Sequence, residues 1–206
     1  MSIIIKNGKL ITPIRIIKNG GVVIRDSTIE KVFTDDNIRI GEKDRIIDVG
    51  GKYISPDFID IHNHGGNGYD FLDGTVESII EPAKIHMGFG TTSIIPTIST
   101  CPLEQMLSVL DCFKKAKGII KNGPNLLGVH LEGPYFSLEE KGAQGPNLIR
   151  KLKKEEYLEI LDYSDDIVRW SVAPEVEGAF ALLQIQLEQQ DCLRENTQDQ
   201  MAVSLS

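Results

Sequence analysis

The run Phe58-Ile59-Asp60-Ile61-His62-Asn63-His64-Gly65 sets two imidazoles one residue apart at the end of an apolar stretch, with glycine directly after. Side chains on a β-strand alternate between faces, so His62 and His64 project the same way. Two imidazoles side by side at a strand terminus make half of a divalent-cation site. The same pair also fits two surface histidines beside a turn, and so short a motif does not decide between the two readings. About seventy residues later Leu126-Leu127-Gly128-Val129-His130-Leu131-Glu132-Gly133-Pro134 repeats the layout: an apolar run ends in polar residues and Gly-Pro stops it. His130 and Glu132 share a face by the same alternation. A carboxylate at this second strand end could complete or bridge a site begun by His62 and His64. A buried glutamate with neither a cation nor hydrogen-bond partners would be costly. The alternative for Glu132 is a solvated residue that opens a loop.

The elements that must position these residues read as follows. Residues 1 to about 53 are short Ile- and Val-rich stretches, Ser2–Lys6, Gly21–Arg25, Thr28–Phe33 and Arg45–Val49, separated by Asn7-Gly8, Asn19-Gly20-Gly21 and Asp26-Ser27. Those separators are turn signals, and the segment reads as a small antiparallel β unit. After Gly50-Gly51 the pattern becomes strand, loop, helix, repeated. Strands are expected at Phe58–His62, Thr92–Pro96, Leu126–Leu131 and Ile167–Val172. Helices are expected between Thr75 and Met87, with Pro82 bending or restarting the first, after Pro102, where Leu103, Met106, Leu107, Leu110 and Phe113 recur at helical spacing, and over about 153 to 162. Near-continuous apolar strands alternating with helices imply a parallel sheet covered by helices. The polar clusters, His62 with His64, His130 with Glu132, and Glu175, all fall where strands end, which is where a (β/α) barrel places its chemistry. Glutamines crowd the chain from about residue 184 and the apolar stripe fades, so 184–206 reads as a tail, disordered or read in a shifted frame.

Bulk properties narrow the function further. The 206 residues are 41% hydrophobic and 25% charged, as in globular proteins. A net charge of −8 argues against nucleic acid as a partner, since phosphate backbones need a basic face. No apolar run nears the roughly 18 residues of a membrane-spanning helix, and Lys6 and Lys9 break the only apolar stretch at the N-terminus, unlike a signal peptide. Cys101, Cys112 and Cys192 show no paired spacing, which fits a reducing cytoplasm and small buried hydrophobes.

Taken together, Ile54 to Gly65, Gly88-Phe89-Gly90-Thr91-Thr92 with Pro96-Thr97, His130-Leu131-Glu132-Gly133-Pro134-Tyr135-Phe136, Lys141-Gly142-Ala143-Gln144 and Ala173-Pro174-Glu175 resemble the amidohydrolase superfamily, and more narrowly the N-acetylglucosamine-6-phosphate deacetylases. The resemblance covers residues 1 to about 182. It implies an α/β fold: the first half of a metal-dependent (β/α)8 TIM-barrel hydrolase over 54–183, about four βα units, preceded by a small β-sandwich portion over 1–53. It implies that Glu132 is a metal ligand and that His62 and His64 are ligands where a second ion is present. The cofactor is then a divalent metal ion, zinc or iron, one or two. The substrate is an amino-sugar phosphate, N-acetylglucosamine 6-phosphate, hydrolysed to glucosamine 6-phosphate and acetate. The loop that follows Glu132 would contact the sugar through Gly142, Ala143 and Gln144. The family is commonly oligomeric, so a homo-oligomer is expected. Asp57 stands where the superfamily usually has glycine, and a conformational cost is expected there.

The family's remaining metal-binding histidines and its catalytic aspartate come from later strands. No histidine follows His130, and the one histidine outside the clusters, His86, reads as a surface or packing residue. No catalytic residue is therefore assigned, and the chain reads as a truncated product with little turnover, its frame shifted near residue 184. The alternative is a non-catalytic half-barrel that binds metal or sugar phosphate or pairs with a full-length partner. Dihydroorotase-like and adenine-deaminase-like enzymes share the H-x-H strand but lack the His-Leu-Glu-Gly-Pro run.

Overall fold

In a computed structural model the described residues, 1–34 and 38–185, form two compact units that part between Pro56 and Asp57. The first is one five-stranded sheet. Strands β1 (Ile3–Ile11), β2 (Ile16–Arg25) and β3 (Thr28–Phe33) make an antiparallel meander. Asp26 and Ser27 both take positive φ, 46° and 64°, as a two-residue type I′ hairpin turn requires. Two expectations need correcting. Asn7-Gly8 and Asn19-Gly20 are not turns: each asparagine sits at positive φ inside a continuous strand, Gly8 pairs with Gly20, and the register shifts on either side. They are facing bulges, and the chain reverses instead at Thr12–Arg15, where Thr12 N–H donates to Arg15 O at 3.0 Å. Nor is the unit wholly antiparallel. Strands β4 (Arg45–Asp48) and β5 (Tyr53–Ile54) run parallel to β1, beside its first and second halves. Neighbouring valines of β2 serve opposite faces: Val23 packs with Ile4 and Phe33, Val22 with Leu10 and Ile54.

The second unit follows the strand–helix alternation. Strand β6 (Phe58–Asn63) leads through a short ribbon, β7 (Gly65–Gly66) and β8 (Tyr69–Asp70), to helix α1 (Val76–Gly88) and then β9 (Thr91–Ile98). Helix α2 (Leu103–Ile119), strands β10 (Asn125–Leu126) and β11 (Val129–Glu132), helix α3 (Lys154–Tyr163) and β12 (Ile167–Ser171) complete it. Reciprocal bonds between Thr75 and Ser78 cap α1, and α1 passes through Pro82 without a break. Helix α2 buries Met106, Val109, Leu110, Phe113 and Ala116, a stripe at helical spacing.

All five strands of the second sheet are parallel. Strands β6 and β10 pair with the same residues of β9, Ser93 and Ile94, so they lie on its two sides. The order is therefore β6, β9, β10 with β11, β12, each βα unit beside the one before it in sequence. The expected strand Leu126–Leu131 is split: it leaves β9 at Leu127-Gly128 and resumes as β11 between β9 and β12. Gly128 sits at the break because a Cβ there would collide with Val168 and with Asp166 O. Among the described residues the sheet is open, but it curls: Arg169 Nη1, from β12, donates to Ile61 O of β6 at 3.1 Å. Asp57 is not among the residues with positive φ, so the cost expected there is not incurred.

Residues 179–185 are helical, with Leu182 buried in the core; the glutamine-rich stretch from 186 on lies outside the described residues. Among the described residues no helix is long and apolar enough to cross a membrane. Ile94 and Leu131 are fully enclosed on β9 and β11. Truncating either to alanine is expected to destabilise the second unit by about 2–5 kcal/mol, whereas Ile29→Ala, on the half-exposed β3, should cost under about 1 kcal/mol; urea unfolding measures all three.

Candidate metal centre

Strand β9 lies between β6 and β11 and brings their C-terminal ends together. His62, His64 and Glu132 meet there, one ligand atom of each lying within 4.8 Å of the others. His62 Nε2 is 3.2 Å from Glu132 Oε1, and His64 Nε2 is 3.6 Å from Oε2. Ligand atoms held about 2.1 Å from one tetrahedral ion lie roughly 3.4 Å apart, and each imidazole Nε2 stands near that distance from one of the two Glu132 oxygens. Their chemistry fits too: two imidazole nitrogens and a carboxylate suit zinc, iron and other divalent ions. Among the described residues no lysine or arginine pairs with Glu132, whose side chain is only 18% exposed.

Hydroxyl groups on or just after β9 and on β12 lie against His64 and His130. Ser99 Oγ lies 3.0 Å from His64 Nδ1. With Nδ1–H donating to that hydroxyl, Nε2 keeps its lone pair for a cation. The His62 ring meets the His130 ring edge-on, centroids 4.9 Å apart. His130 itself is fully buried between Thr97 Oγ1 at 3.1 Å from Nδ1 and Ser171 Oγ at 2.8 Å from Nε2. Hydroxyls both donate and accept, so a neutral imidazole is satisfied in either tautomer. Burial, reinforced by the Arg169 charge, pulls the His130 pKa down to about 3.

Glu132 is held from its other side. Gln144 Nε2 donates to Glu132 Oε2 at 2.8 Å, and Thr100 Oγ1 donates to the Glu132 carbonyl at 2.9 Å. Gly133 follows at φ 88°, and a Cβ there would strike Thr100 Oγ1. A cavity of about 610 Å³ opens at this point, lined by His64, Ser99, Thr100, Glu132, Phe136 and the loop residues Lys141, Gly142, Ala143 and Gln144. The residues singled out in the sequence thus lie together, with Gly142, Ala143 and Gln144 on the cavity wall. Glu175 does not join them; it sits exposed in the turn after β12. His86 packs in the last turn of α1 with Nε2 3.0 Å from Gly65 O. Buried Cys101, its thiol pushed up to about 11 by desolvation, has no part in the cluster. The sequence reading assigns no site role to Thr97, Ser99, Thr100 or Ser171, although Thr97 stands in one of the stretches that carry the resemblance. Their position at strand ends was the available signal, but hydroxyl residues are common there for other reasons.

A curled parallel sheet with a His, His, carboxylate cluster at its C-terminal edge is the layout of a metal-dependent α/β enzyme. Within that class the chain is similar to the N-terminal part of N-acetylglucosamine-6-phosphate deacetylases. The Vibrio furnissii enzyme of that name is 34% identical over 158 residues, 76% of this chain and 39% of the relative. An N-acetylgalactosamine-6-phosphate deacetylase from Escherichia coli O157:H7 is 35% identical over 143 residues, 68% of this chain and 37% of the relative. The crystal structure of the Pasteurella multocida N-acetylglucosamine-6-phosphate deacetylase superposes with a TM-score of 0.75 at 27% identity, over 87% of this chain and 46% of that one. The chain spans about two fifths of the length of the curated relatives it matches. No family model matches it.

A pH dependence follows from His130. Its pKa is below the usual 6.5 in the folded state, so between about 3 and 6.5 the unfolded chain binds the extra proton. Stability should therefore fall as pH drops through that window. Urea midpoints measured from pH 7 to pH 4 should fall less steeply in His130→Asn than in the wild type.

Proposed function

We propose that this chain carries the N-terminal share of a metal-dependent amide hydrolase site that acts on N-acetylglucosamine 6-phosphate, releasing acetate and glucosamine 6-phosphate. The observation that carries the reading is the Glu132 carboxylate set between two imidazole Nε2 atoms, in a chain similar to enzymes named for that reaction. His62, His64 and Glu132 would hold the divalent ion, zinc or iron, one or two. Such an ion, when bound, lowers the pKa of water and polarises a carbonyl. The chain's own residues orient and enclose. Ser99 presents His64 in the required tautomer, and the β11–α3 loop, through Gly142, Ala143 and Gln144, forms the wall against which the sugar rests. The aspartate that would move a proton to the leaving amine belongs, by the resemblance, to later strands. On the same grounds the parallel sheet is the first half of a (β/α)8 barrel, and the five-stranded sheet is part of a β-sandwich.

The E. coli relative is named for the galactosamine epimer, so both sugar phosphates belong in the assay. A second reading is a half-barrel that binds metal and sugar phosphate without turnover. It is favoured by β6 and β12, each of which has a free edge among the described residues.

The test is calorimetric titration of Zn²⁺ or Fe²⁺ into the chain, followed by an assay of acetate release from both substrates. Metal should bind to the wild type and bind at least about 100-fold more weakly to Glu132→Gln, which loses a ligand charge. Binding without acetate release supports the half-barrel reading. A Glu132→Gln variant that binds metal as tightly as the wild type refutes the assigned site.

A further inference from the structure

Gln144 is a loop residue in contact with two strand ends at once. Its Nε2 donates to Glu132 Oε2 at 2.8 Å, and its Oε1 accepts from the Thr100 backbone N–H at 3.2 Å. The second bond fixes the first. An N–H group has to meet an oxygen, so Thr100 turns the amide oxygen toward β9 and leaves only the NH₂ group for Glu132. The flipped amide would face N–H to N–H on one side and oxygen to carboxylate on the other. Thr100 also ties the Glu132 backbone through its hydroxyl, at 2.9 Å from the Glu132 carbonyl. It can come that close because Gly133 has no Cβ to block its hydroxyl. One residue just past the end of β9 thus sets both the position of the Glu132 main chain and the polarity of the group that faces its side chain.

We infer that Gln144 is a positioning residue for the cation-binding carboxylate: oriented by Thr100, it pins Oε2 of Glu132 and so turns Oε1 toward His62. This goes beyond a place on the sugar-binding wall, and it rests on the metal-site reading above. A carboxylate free to spin about its last torsion would offer an incoming ion a spread of geometries; one pinned at Oε2 offers a single one. Outer hydrogen bonds of this kind change metal affinity by about 10–100-fold. A neutral amide also suits the place better than a lysine, whose charge would neutralise the carboxylate that the ion needs.

The test is titration of Co²⁺ into the full 206-residue chain, read by calorimetry and by visible absorption. Gln144→Met fills about the same volume with no donor; Gln144→Ala removes the side chain. Both are expected to weaken Co²⁺ binding about 10–100-fold and to alter its d–d spectrum, while the metal-free melting midpoint moves by no more than about 2 °C. Wild-type affinity and spectrum in both variants would overturn the positioning role and leave the metal site standing. A metal-free midpoint that falls far in both variants would overturn it in favour of simple loop support. If the wild type binds no Co²⁺, the metal-site reading fails and this inference fails with it.

Discussion

The parallel pairing of β6 and β11 to the two sides of β9 is the constraint on which the site depends. Asn63 pairs with Pro96, and His130 pairs with the next residue, Thr97. That register ends both flanking strands at one level along β9, so His62 and His64 come up on one side of it and Glu132 on the other. A shift of one residue in either pairing would turn the chemistry-bearing face of that strand away. The apolar residues that fix the register, Ile94 and Ile98 on β9 and Leu131 on β11, are all enclosed in one core. Hydrophobic packing below the site therefore sets the geometry of polar groups above it.

Strand β9 contributes more than a ruler. Thr97 on the strand reaches His130; just past the strand's end, Ser99 reaches His64 and Thr100 reaches Glu132 and Gln144. The Thr97 hydroxyl satisfies a polar group that would be costly to leave unpaired in the interior. That group is the buried His130: both ring nitrogens are occupied, and the ring backs onto His62. A lysine or arginine beside Glu132 would satisfy the carboxylate but would also discharge it. The hydrogen bond to the Glu132 side chain comes instead from the neutral amide of Gln144.

Much of this was legible in the sequence because period-two alternation needs no knowledge of the partner strand. It put His62 with His64, and His130 with Glu132. What it does not encode is direction or distance. The Ile-rich stretches at 45–48 and 53–54 look the same whether they pair parallel or antiparallel, and here they run parallel to β1. Asn7-Gly8 and Asn19-Gly20 carry the left-handed signature of a turn, yet a facing pair of bulges demands the same backbone from the same residues. Gly128 splits a strand because Val168, forty residues away, approaches its backbone. The Lys141-to-Gln144 resemblance places Gln144 near the site, but its bonds to Thr100 and Glu132 follow from no local pattern. Local period placed the strand-end residues and the parallel sheet, whereas the bulges, the break at Gly128 and the pairing of β4 and β5 depend on neighbours that the local sequence does not name.

The same non-local geometry would give a cation bound at the proposed site a structural role. Strands β6 and β11 are not hydrogen-bonded to each other; β9 separates them. One face of β6 leaves Ile59 and Ile61 exposed at 62% and 49%, so apolar burial does little to hold this strand down. Beyond its pairing with β9, β6 is tied to the rest of its sheet by Arg169 at the Ile61 carbonyl and by His62 against Glu132 and His130. An ion shared by His62, His64 and Glu132 would cross-link β6 to β11 over the strand between them. A ligand that binds only the folded arrangement stabilises it in proportion to the logarithm of its concentration over its dissociation constant. His62 on β6 and His64 just past its end share this cluster with Glu132 of β11, so an ion held there would favour the docked arrangement of β6.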